Sequence, residues 1–322
     1  MKVRNMSKEC SLAEAGKLLV QAQSIVLCSH VNPDGDTLGS TLALGHLLRA
    51  LGKQVFLTVD DDIPMNLKFI PGIDGYQRLQ DGQTCQADLL VILDASSADR
   101  AGNVLQLVQA GHLLNLDHHK TNTRFAEYLY LDAQAAATAE IIYDLAEEMH
   151  WQLDKNIAFC IFTGLYTDTG SFKYSNTTAK TLRAAAHLLE FGVDPSFISD
   201  NLELKSRETI TMLSKVLNTL TFTHQGAIAY LEISNAVYDK DVDTDSFISF
   251  PRYIEGVEVA ILFKEVEPGF TRVSMRAKNI DVSKIAFSFG GGGHQKAAGC
   301  GLKSDLATTK KQILSALETA LS

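Results

Sequence analysis

The sequence predicts an α/β protein with two domains. In the first half of the chain, apolar stretches of strand length alternate with stretches whose apolar residues recur at helical spacing. The length of 322 residues exceeds that of one average domain. We therefore predict a first domain over residues 1–192, a helical connector over 193–220 and a smaller second domain over 221–322.

The first predicted strand, SIVLCSH at 24–30, is followed by a loop rich in Gly, Pro and Asp and by the helix TLALGHLLRAL at 41–51, which ends before Gly52. The later elements are the strand QVFLTVD (54–60), the short helix IPMNLKFI (63–70), the strand ADLLVILDAS (87–96), the helix NVLQLVQAG (103–111), the strand HLLNLD (112–117) and the helices ATAEIIYDLAEEMH (137–150) and NIAFCIFTGLYTD (156–168). This alternation predicts a Rossmann-like, mostly parallel sheet covered by helices on both faces.

Residues 178–220 form an all-helical region in this interpretation. The predicted second domain is a smaller α/β domain with a mixed sheet. Its elements are the strands AIAYLEIS (227–234), VEVAILFKEV (257–266) and FTRVSMRA (270–277), an apolar turn KIAFSF (284–289) and the C-terminal helix LATTKKQILSALETAL (306–321). The EPG sequence between the second and third of these strands predicts a hairpin turn.

Composition narrows the class of protein. Hydrophobic residues make up 46% and charged residues 21%, as in ordinary globular proteins. No apolar run approaches the roughly 20 residues of a membrane helix, and the polar N-terminus does not resemble a secretory signal. Five dispersed cysteines without a CxxC pair predict reduced thiols and a cytoplasmic location. The net charge of −9 disfavours a grip on long nucleic acid and favours small or short nucleotides.

Acidic and imidazole side chains follow the apolar stretches of the first domain. The residues are His30, Asp34 and Asp36 after the first strand, Asp94 after VIL, Asp117, His118 and His119 after LLNL, and Asp168 at the end of the helix AFCIFTGLYTD. Each piece alone has an ordinary explanation as a turn, a helix N-cap or a polar surface. Because the carboxyl ends of parallel strands share one edge, we expect these groups to converge there.

The chemistry of these residue types favours a metal site. Carboxylate and imidazole ligands without thiolate suit Mn²⁺, and Mg²⁺ or Zn²⁺ less specifically. Two divalent cations roughly 3.5–4 Å apart are a common device for phosphoryl hydrolysis. Four clustered aspartates would repel one another strongly, and two such cations would cancel their charge.

Five stretches carry a resemblance to a known family. SHVNPDGDTLGS, VILDASSADR, NLDHHKTN and YTDTGSF resemble, in order, the four motifs of the DHH phosphoesterase superfamily. FGGGGHQKAAG resembles the glycine-rich signature of the DHH-associated C-terminal domain. The length and the motifs are most similar to the NrnA-like branch, described as oligoribonuclease and phosphatase of 3′-phosphoadenosine-5′-phosphate.

The resemblance implies two divalent cations that share one aspartate. The implied ligands are His30, Asp34 and Asp94 for the first ion and Asp36, Asp94, His118 and Asp168 for the second. The resemblance further places His119 near the scissile phosphate and gives Asp117 a supporting position behind the motif. A hydroxide bridging the two cations is then expected to attack phosphorus.

Additional donors are needed for the charge of the substrate phosphate. The candidates are Arg100, Arg276, Gly291, Gly292, Gly293 and His294. Successive glycines, here from Gly290 onward, can turn backbone N–H groups toward an anion, although a flexible linker is the alternative. Arg100 has the alternative of an ordinary surface arginine, and Arg276 matches the basic position of the resembled family. These donors predict an active site in the cleft between the domains.

The expected function is a Mn²⁺-dependent phosphohydrolase that degrades short oligonucleotides from an end and removes the 3′-phosphate of 3′-phosphoadenosine-5′-phosphate. The first alternative is a phosphodiesterase of linear or cyclic dinucleotides. A RecJ-like single-strand exonuclease and a nucleic-acid-binding module without turnover are further alternatives. The sequence leaves the oligomeric state open, with a homodimer among the alternatives.

Overall fold

Two six-stranded sheets organise the chain, one in each of two units, Met1–Leu204 and Lys205–Ser322. The computed structural model describes residues 7–80 and 84–321. In the described chain, every strand pair of the first sheet is parallel. The second sheet mixes both orientations. The predicted α/β class, with a mostly parallel sheet followed by a mixed sheet, is therefore confirmed.

The first sheet has the strand order β1-β6-β5-β4-β2-β3. Its strands are β1 (Lys8–Glu9), β2 (Ser24–Cys28), β3 (Gln54–Thr58), β4 (Cys85–Leu93), β5 (Val108–Asp117) and β6 (Tyr128–Leu131). Alternate residues of the central strands enter two different apolar cores. Leu27 packs in one core, whereas Val26 and Cys28 pack in the other. Burial of both faces explains why the central strands are apolar at almost every position.

The helices of the first unit are α1 (Leu12–Gln21), α2 (Gly35–Ala50), α3 (Val104–Leu107), α4 (Thr138–Glu148), α5 (Lys155–Asp168), α6 (Ala179–Leu189) and α7 (Pro195–Glu203). Short 3₁₀ turns lie at Met65–Leu67, Ile73–Gly75 and Ala98–Ala101. The predicted short helix at 63–70 is thus a single 3₁₀ turn. The elements β1, α1 and β6 are absent from the sequence-based prediction, although Ser11 and Glu14 form a capping box that a serine–glutamate spacing of three can signal.

Two predicted elements of the first unit begin at the wrong residue. Helix α2 starts at Gly35 rather than at 41, because the Asp34 carboxylate accepts the N–H groups of Asp36 and Thr37 as an N-cap. Only four residues of the predicted helix 103–111 are helical, and β5 begins at Val108. The reason is that Val108 onward continues the parallel ladder with β4, which satisfies the backbone along its length.

The second sheet has the strand order β11-β12-β10-β9-β8-β7. Its elements are α8 (Arg207–Leu217), β7 (Thr221–Thr223), β8 (Ile228–Ile233), α9 (Ser249–Arg252), β9 (Val259–Glu267), β10 (Phe270–Ala277), α10 (Val282–Ser288), β11 (Gly292–His294), β12 (Ala297–Leu302) and α11 (Leu306–Leu321). Further 3₁₀ turns lie at His224–Gly226 and Asp245–Ile248. The predicted hairpin from β9 into β10 is antiparallel, as expected.

The glycine run and its neighbours differ from the sequence-based interpretation. The predicted apolar turn 284–289 belongs largely to α10, whose Ile285 and Ala286 are buried in the core on one face of the sheet. The glycine run continues into the edge strand β11, which pairs with β12. The alternative of a flexible linker is therefore wrong. Within the residues that the structure covers, no helix is long and apolar enough to span a membrane.

Candidate metal centre

The predicted ligands of the first unit gather beyond the carboxyl ends of three adjacent strands. His30 lies two residues after β2, Asp94 directly follows β4, and His118 directly follows β5. In the sheet these strands are neighbours in the order β5-β4-β2. Asp168 is the last residue of α5 and joins the same group. The parallel topology therefore brings together side chains that are far apart in the sequence.

Asp94 is the centre of this group. Its side chain is 3% exposed, and its two carboxylate oxygens face different imidazoles. Oδ2 lies 3.4 Å from Nε2 of His30, and Oδ1 lies 3.5 Å from Nε2 of His118. The backbone of Asp94 has a φ of +59°, a left-handed conformation that is unfavourable for a residue with a Cβ atom. Strained backbone of this kind is concentrated at functional sites.

The first group of potential ligands contains His30, Asp34 and Asp94. Their ligand atoms all lie within 4.8 Å of one another. The Nδ1 atom of His30 lies 2.8 Å from both the Val31 carbonyl and Nη2 of Arg100. Since the carbonyl only accepts and the guanidinium only donates, one tautomer cannot satisfy both. With a proton on Nδ1, His30 donates to Val31, and its Nε2 atom faces the carboxylates of Asp34 and Asp94.

The second group contains Asp36, His118 and Asp168, again with ligand atoms within 4.8 Å. Nε2 of His118 lies 3.8 Å from Asp168 Oδ2 and 4.0 Å from Asp36 Oδ2. A third group of Asp94, His118 and His119 overlaps it. The two predicted ligand sets are thus two neighbouring clusters, connected through Asp94 and His118.

Hydrogen bonds fix the two adjacent histidines in different ways. Nδ1 of His118 lies 3.2 Å from the Ala135 carbonyl, which only accepts, so the ring donates there and directs Nε2 at the carboxylates. Nδ1 of His119 lies 2.7 Å from Asp117 Oδ1. The His119 side chain is 42% exposed, whereas that of His118 is 13% exposed. His118 therefore faces the buried cluster, and His119 is the more accessible of the pair.

Asp117 is fully buried and braces the turn. Its Oδ1 accepts hydrogen bonds from the backbone N–H of His118 and from Nδ1 of His119, and its Oδ2 accepts one from the amide of Asn122. Burial alone would raise the pKa of Asp117, but the hydrogen bonds from His119 and Asn122 hold it below its usual range. An ionised Asp117 in turn raises the pKa of His119. Asp117 belongs to none of the three ligand groups.

The electrostatics of the cluster favour added positive charge. Burial, together with repulsion from neighbouring carboxylates such as Asp94, raises the pKa of Asp168 to about 6. The same two causes raise the pKa of Asp36 well above its usual range. Burial lowers the pKa of His30, but hydrogen bonds to Asp34 and Asp94 outweigh it and raise the value to about 9. In the absence of a cation, the protein therefore retains protons in this cluster.

The donor set fits divalent cations. Among the described residues, the three groups of potential ligands offer carboxylate oxygens and imidazole nitrogens and contain no cysteine. The histidines also have the supporting hydrogen bonds on Nδ1 that metal-binding histidines generally show. The raised pKa values of Asp36 and Asp168 show that the positive charge of the neighbouring side chains does not fully offset the repulsion between the buried carboxylates.

Several residues that contact the predicted ligands are not predicted from the sequence. The Thr138 hydroxyl donates to Asp94, and the backbone N–H groups of Thr138 and Ala139 donate to Asp36. Asn122 supports Asp117, and Asn176 donates to the Asp168 carbonyl. The only signal for Thr138 is its position at the start of a predicted helix, whose free N–H groups attract a carboxylate.

The predicted phosphate-binding residues lie in two places. Arg100 lies beside the first group of potential ligands, because its guanidinium contacts His30. In the second unit, Arg276 on β10 is opposite Ala297 on β12, and Ala297 is opposite His294 on β11. Residues directly opposite on neighbouring strands point to the same face, so Arg276 and His294 flank a small alanine on one face of this sheet.

The glycines beside this row allow β11 to lie close to β12. A Cβ atom on Gly291 would lie 2.2 Å from the Gly299 carbonyl oxygen, and one on Gly293 would lie 2.5 Å from the Ala297 carbonyl oxygen. Gly292 has open space at the corresponding position. Close backbone packing therefore explains Gly291 and Gly293, whatever ligand the hairpin binds.

A parallel sheet whose carboxyl edge carries carboxylates and imidazoles in two linked groups is typical of phosphoester hydrolases that use divalent cations. Residues 24–165 match the model of the DHH family, N-terminal domain, and residues 227–322 match that of the DHHA1 domain. The chain belongs to the DHH family and is a hydrolase that acts on phosphoester bonds.

Relatives with described activities support this assignment. The chain is 34% identical to a bifunctional oligoribonuclease and PAP phosphatase NrnA of Thermus thermophilus, over 92% of this chain and 90% of the relative. It is 27% identical to the Bacillus subtilis protein of the same description, over 92% and 94% of the two chains. An exopolyphosphatase-related protein from Bacteroides fragilis has a similar structure, with a TM-score of 0.88, 25% identity and coverage of 96% and 95%.

Proposed function

We propose that the chain is a Mn²⁺-dependent hydrolase that removes nucleotides from an end of short oligoribonucleotides and the 3′-phosphate from 3′-phosphoadenosine-5′-phosphate. The observation that carries this proposal is the pair of ligand groups connected through Asp94 and His118. Its substrates are inferred from the described activities of the Thermus and Bacillus relatives. The net charge of −9 agrees with a preference for small or short nucleotides.

We assign one cation to His30, Asp34 and Asp94, and a second to Asp36, Asp94, His118 and Asp168. When bound, two such cations polarise the phosphoryl group and lower the pKa of the attacking water. The mixture of imidazole and carboxylate ligands favours Mn²⁺ over Mg²⁺, which prefers oxygen ligands and retains water. Asp94 can contact both cations because its two oxygens face opposite groups of ligands.

His119 is assigned to the substrate phosphate. Its Nδ1 proton is directed to Asp117, and that hydrogen bond raises the pKa of His119. The ring therefore takes up a second proton on Nε2 readily, and the imidazolium can donate it to a phosphoryl or leaving oxygen. The partial exposure of His119 agrees with contact to a substrate.

Arg100, Arg276 and His294 are also assigned to substrate binding. Arg100 lies beside His30 and can donate to a phosphate at the cations, since a guanidinium offers donors in more than one direction. Arg276 and His294 flank Ala297 on one face of the second sheet. Two strand spacings separate them, roughly 9.5 Å, which leaves room for a phosphate between the two side chains.

A substrate panel with Mn²⁺ tests the function. It compares a dinucleotide, a five-residue RNA, a long RNA and 3′-phosphoadenosine-5′-phosphate. We expect the dinucleotide and the five-residue RNA to be degraded faster than the long RNA, and inorganic phosphate to be released from the bisphosphate. Faster degradation of the long RNA would contradict the proposal.

A second candidate function is phosphodiesterase activity on a cyclic dinucleotide. The chain is 24% identical to the cyclic-di-AMP phosphodiesterase PdeA of Listeria monocytogenes, over 94% of this chain and 48% of that relative. Adding cyclic di-AMP and its linear product to the panel separates the two functions. Turnover of the cyclic compound at a rate above that of the linear dinucleotide would favour this second candidate.

A further inference from the structure

Residues 135–139, at the start of α4, contact three of the predicted metal ligands, which are His118, Asp36 and Asp94. The Ala135 carbonyl accepts the Nδ1 proton of His118. The backbone N–H groups of Thr138 and Ala139 donate to Oδ2 and Oδ1 of Asp36, over 2.6 and 2.8 Å. One segment therefore fixes the positions of side chains that come from different strands and helices.

Thr138 is the residue of this segment that connects the two ligand groups. Its hydroxyl donates to Oδ1 of Asp94 over 2.9 Å, while its own backbone N–H holds Asp36. Thr138, Asp36 and Asp94 are almost completely buried, so bulk solvent has little access to these bonds. A buried carboxylate whose oxygen accepts such a hydrogen bond is held in a defined orientation.

The hydroxyl also determines how Asp94 divides its two oxygens. Oδ2 faces His30, whereas Oδ1 lies near His118 and receives the Thr138 proton. Without that hydrogen bond, the carboxylate loses one of the contacts that fix its terminal torsion, which has a broad energy minimum. The bond to Thr138 therefore keeps Oδ1 on the side of the second group.

Hydrogen bonds from other parts of the first unit fix the segment in turn. The amide of Asn176 donates to the Ala136 carbonyl and to the carbonyl of Asp168. The buried Glu140 accepts a hydrogen bond from the Thr181 hydroxyl. Residues that support metal ligands in this way tune the affinity of the site although they do not touch the ion.

We propose that Thr138 is a positioning residue that couples the two cation sites by orienting the shared carboxylate of Asp94. This inference rests on the proposed two-cation function. It predicts a selective effect. Loss of the hydroxyl weakens binding of the second cation, the one assigned to Asp36, Asp94, His118 and Asp168, more than binding of the first.

The test measures Mn²⁺ binding by titration calorimetry and by electron paramagnetic resonance of the full chain. For Thr138→Val, we expect the affinity for one of two ions to fall about 10- to 100-fold. At two equivalents of Mn²⁺, the spectrum should change from that of a coupled pair to that of separate ions. Thr138→Ser keeps the hydroxyl, so its Mn²⁺ affinity should match that of the wild type and its spectrum should again be that of a coupled pair.

Thr271→Val is the matched control. Thr271 is a fully buried threonine of the second unit, and its hydroxyl donates to the Ser304 carbonyl instead of to a ligand. Its substitution should leave both Mn²⁺ affinities unchanged. Thr138→Ala is measured in parallel, so that misfolding of the valine variant alone does not decide the result.

The outcomes separate this inference from the proposed function. If the wild type binds two Mn²⁺ ions and the valine and alanine variants bind them with unchanged affinity, the role of Thr138 is refuted and the proposed function stands. An equal loss of both ions would also refute the coupling. If the wild type binds fewer than two ions, the two-cation function fails together with the inference.

Discussion

At the scale of single residues, Asp94 combines a left-handed backbone conformation with a buried carboxylate. Its φ of +59° is costly for a residue with a Cβ atom, and its buried carboxylate serves two groups of potential ligands. A strained backbone and a buried carboxyl group both lower the stability of the fold when no ligand compensates for them. We infer that the strain is tolerated because it aims the carboxylate between the two groups.

Glycine and alanine at position 94 separate these two contributions. Both remove the carboxylate, but only glycine relieves the left-handed backbone, so Asp94→Gly should be more stable than Asp94→Ala by about 1 kcal/mol. Urea unfolding in the presence of a chelator measures the difference. At Asp117, which is in the strand β5 and has no positive φ, the order should reverse. Equal stability of the two variants at position 94 would contradict the assigned strain.

The residue types of the site are visible in the sequence, but their partners are not. His30, Asp94 and His118 are recognisable because each follows an apolar strand. Thr138 is different, because a threonine at the start of a helix has an ordinary explanation and its acceptor lies 44 residues earlier in the chain. Only the folded arrangement shows which acceptor the hydroxyl meets.

At the scale of elements, the glycine hairpin of the second unit shows how closely two strands can approach. Gly291→Ala would place a methyl group 2.2 Å from the Gly299 carbonyl oxygen, and backbone cannot move aside as a flexible side chain does. We expect a loss of stability of about 1–3 kcal/mol. Gly292→Ala meets open space and should remain within about 0.5 kcal/mol of the wild type. Chemical unfolding of both variants tests this contrast, and similar losses would contradict it.

The sequence predicts long elements better than their ends. Continuous apolar runs locate β2 and β4 because both faces of these strands are buried. The start of β5 is predicted as helix because VQAG carries no strand signal, and its true state depends on the neighbouring β4. The four-residue strand β6 is too short for a pattern to be recognisable. Pairing between distant segments thus decides what local composition leaves open.

At the scale of the whole molecule, we expect the candidate metal centre to make stability depend on pH. The folded state raises the pKa of His30 from 6.5 to about 9, so it binds this proton more tightly than the unfolded chain does. The resulting stability is complete below pH 6.5 and is lost as the pH rises through about 9. Chelator-treated protein should therefore become less stable across this range.

Thermal unfolding with and without Mn²⁺ measures this dependence. A cation replaces the protons of the cluster, so Mn²⁺ should remove the loss of stability at higher pH. His30→Gln lacks the titrating ring and should show a smaller loss in the presence of chelator. Increasing stability of the metal-free protein from pH 6.5 to 9 would contradict the assignment.

The N-cap of α2 and the start of α4 have a further consequence for ion exchange. Asp34 and Asp36 each accept two backbone N–H groups, so folding alone removes most of their rotational freedom. Binding of a cation therefore orders few side chains, which lowers the entropic cost of binding. When the cation dissociates, the two carboxylates should keep their orientation because the backbone N–H groups still hold them. Small metal-nucleated domains collapse on chelation, whereas this chain should exchange its ions while it remains folded.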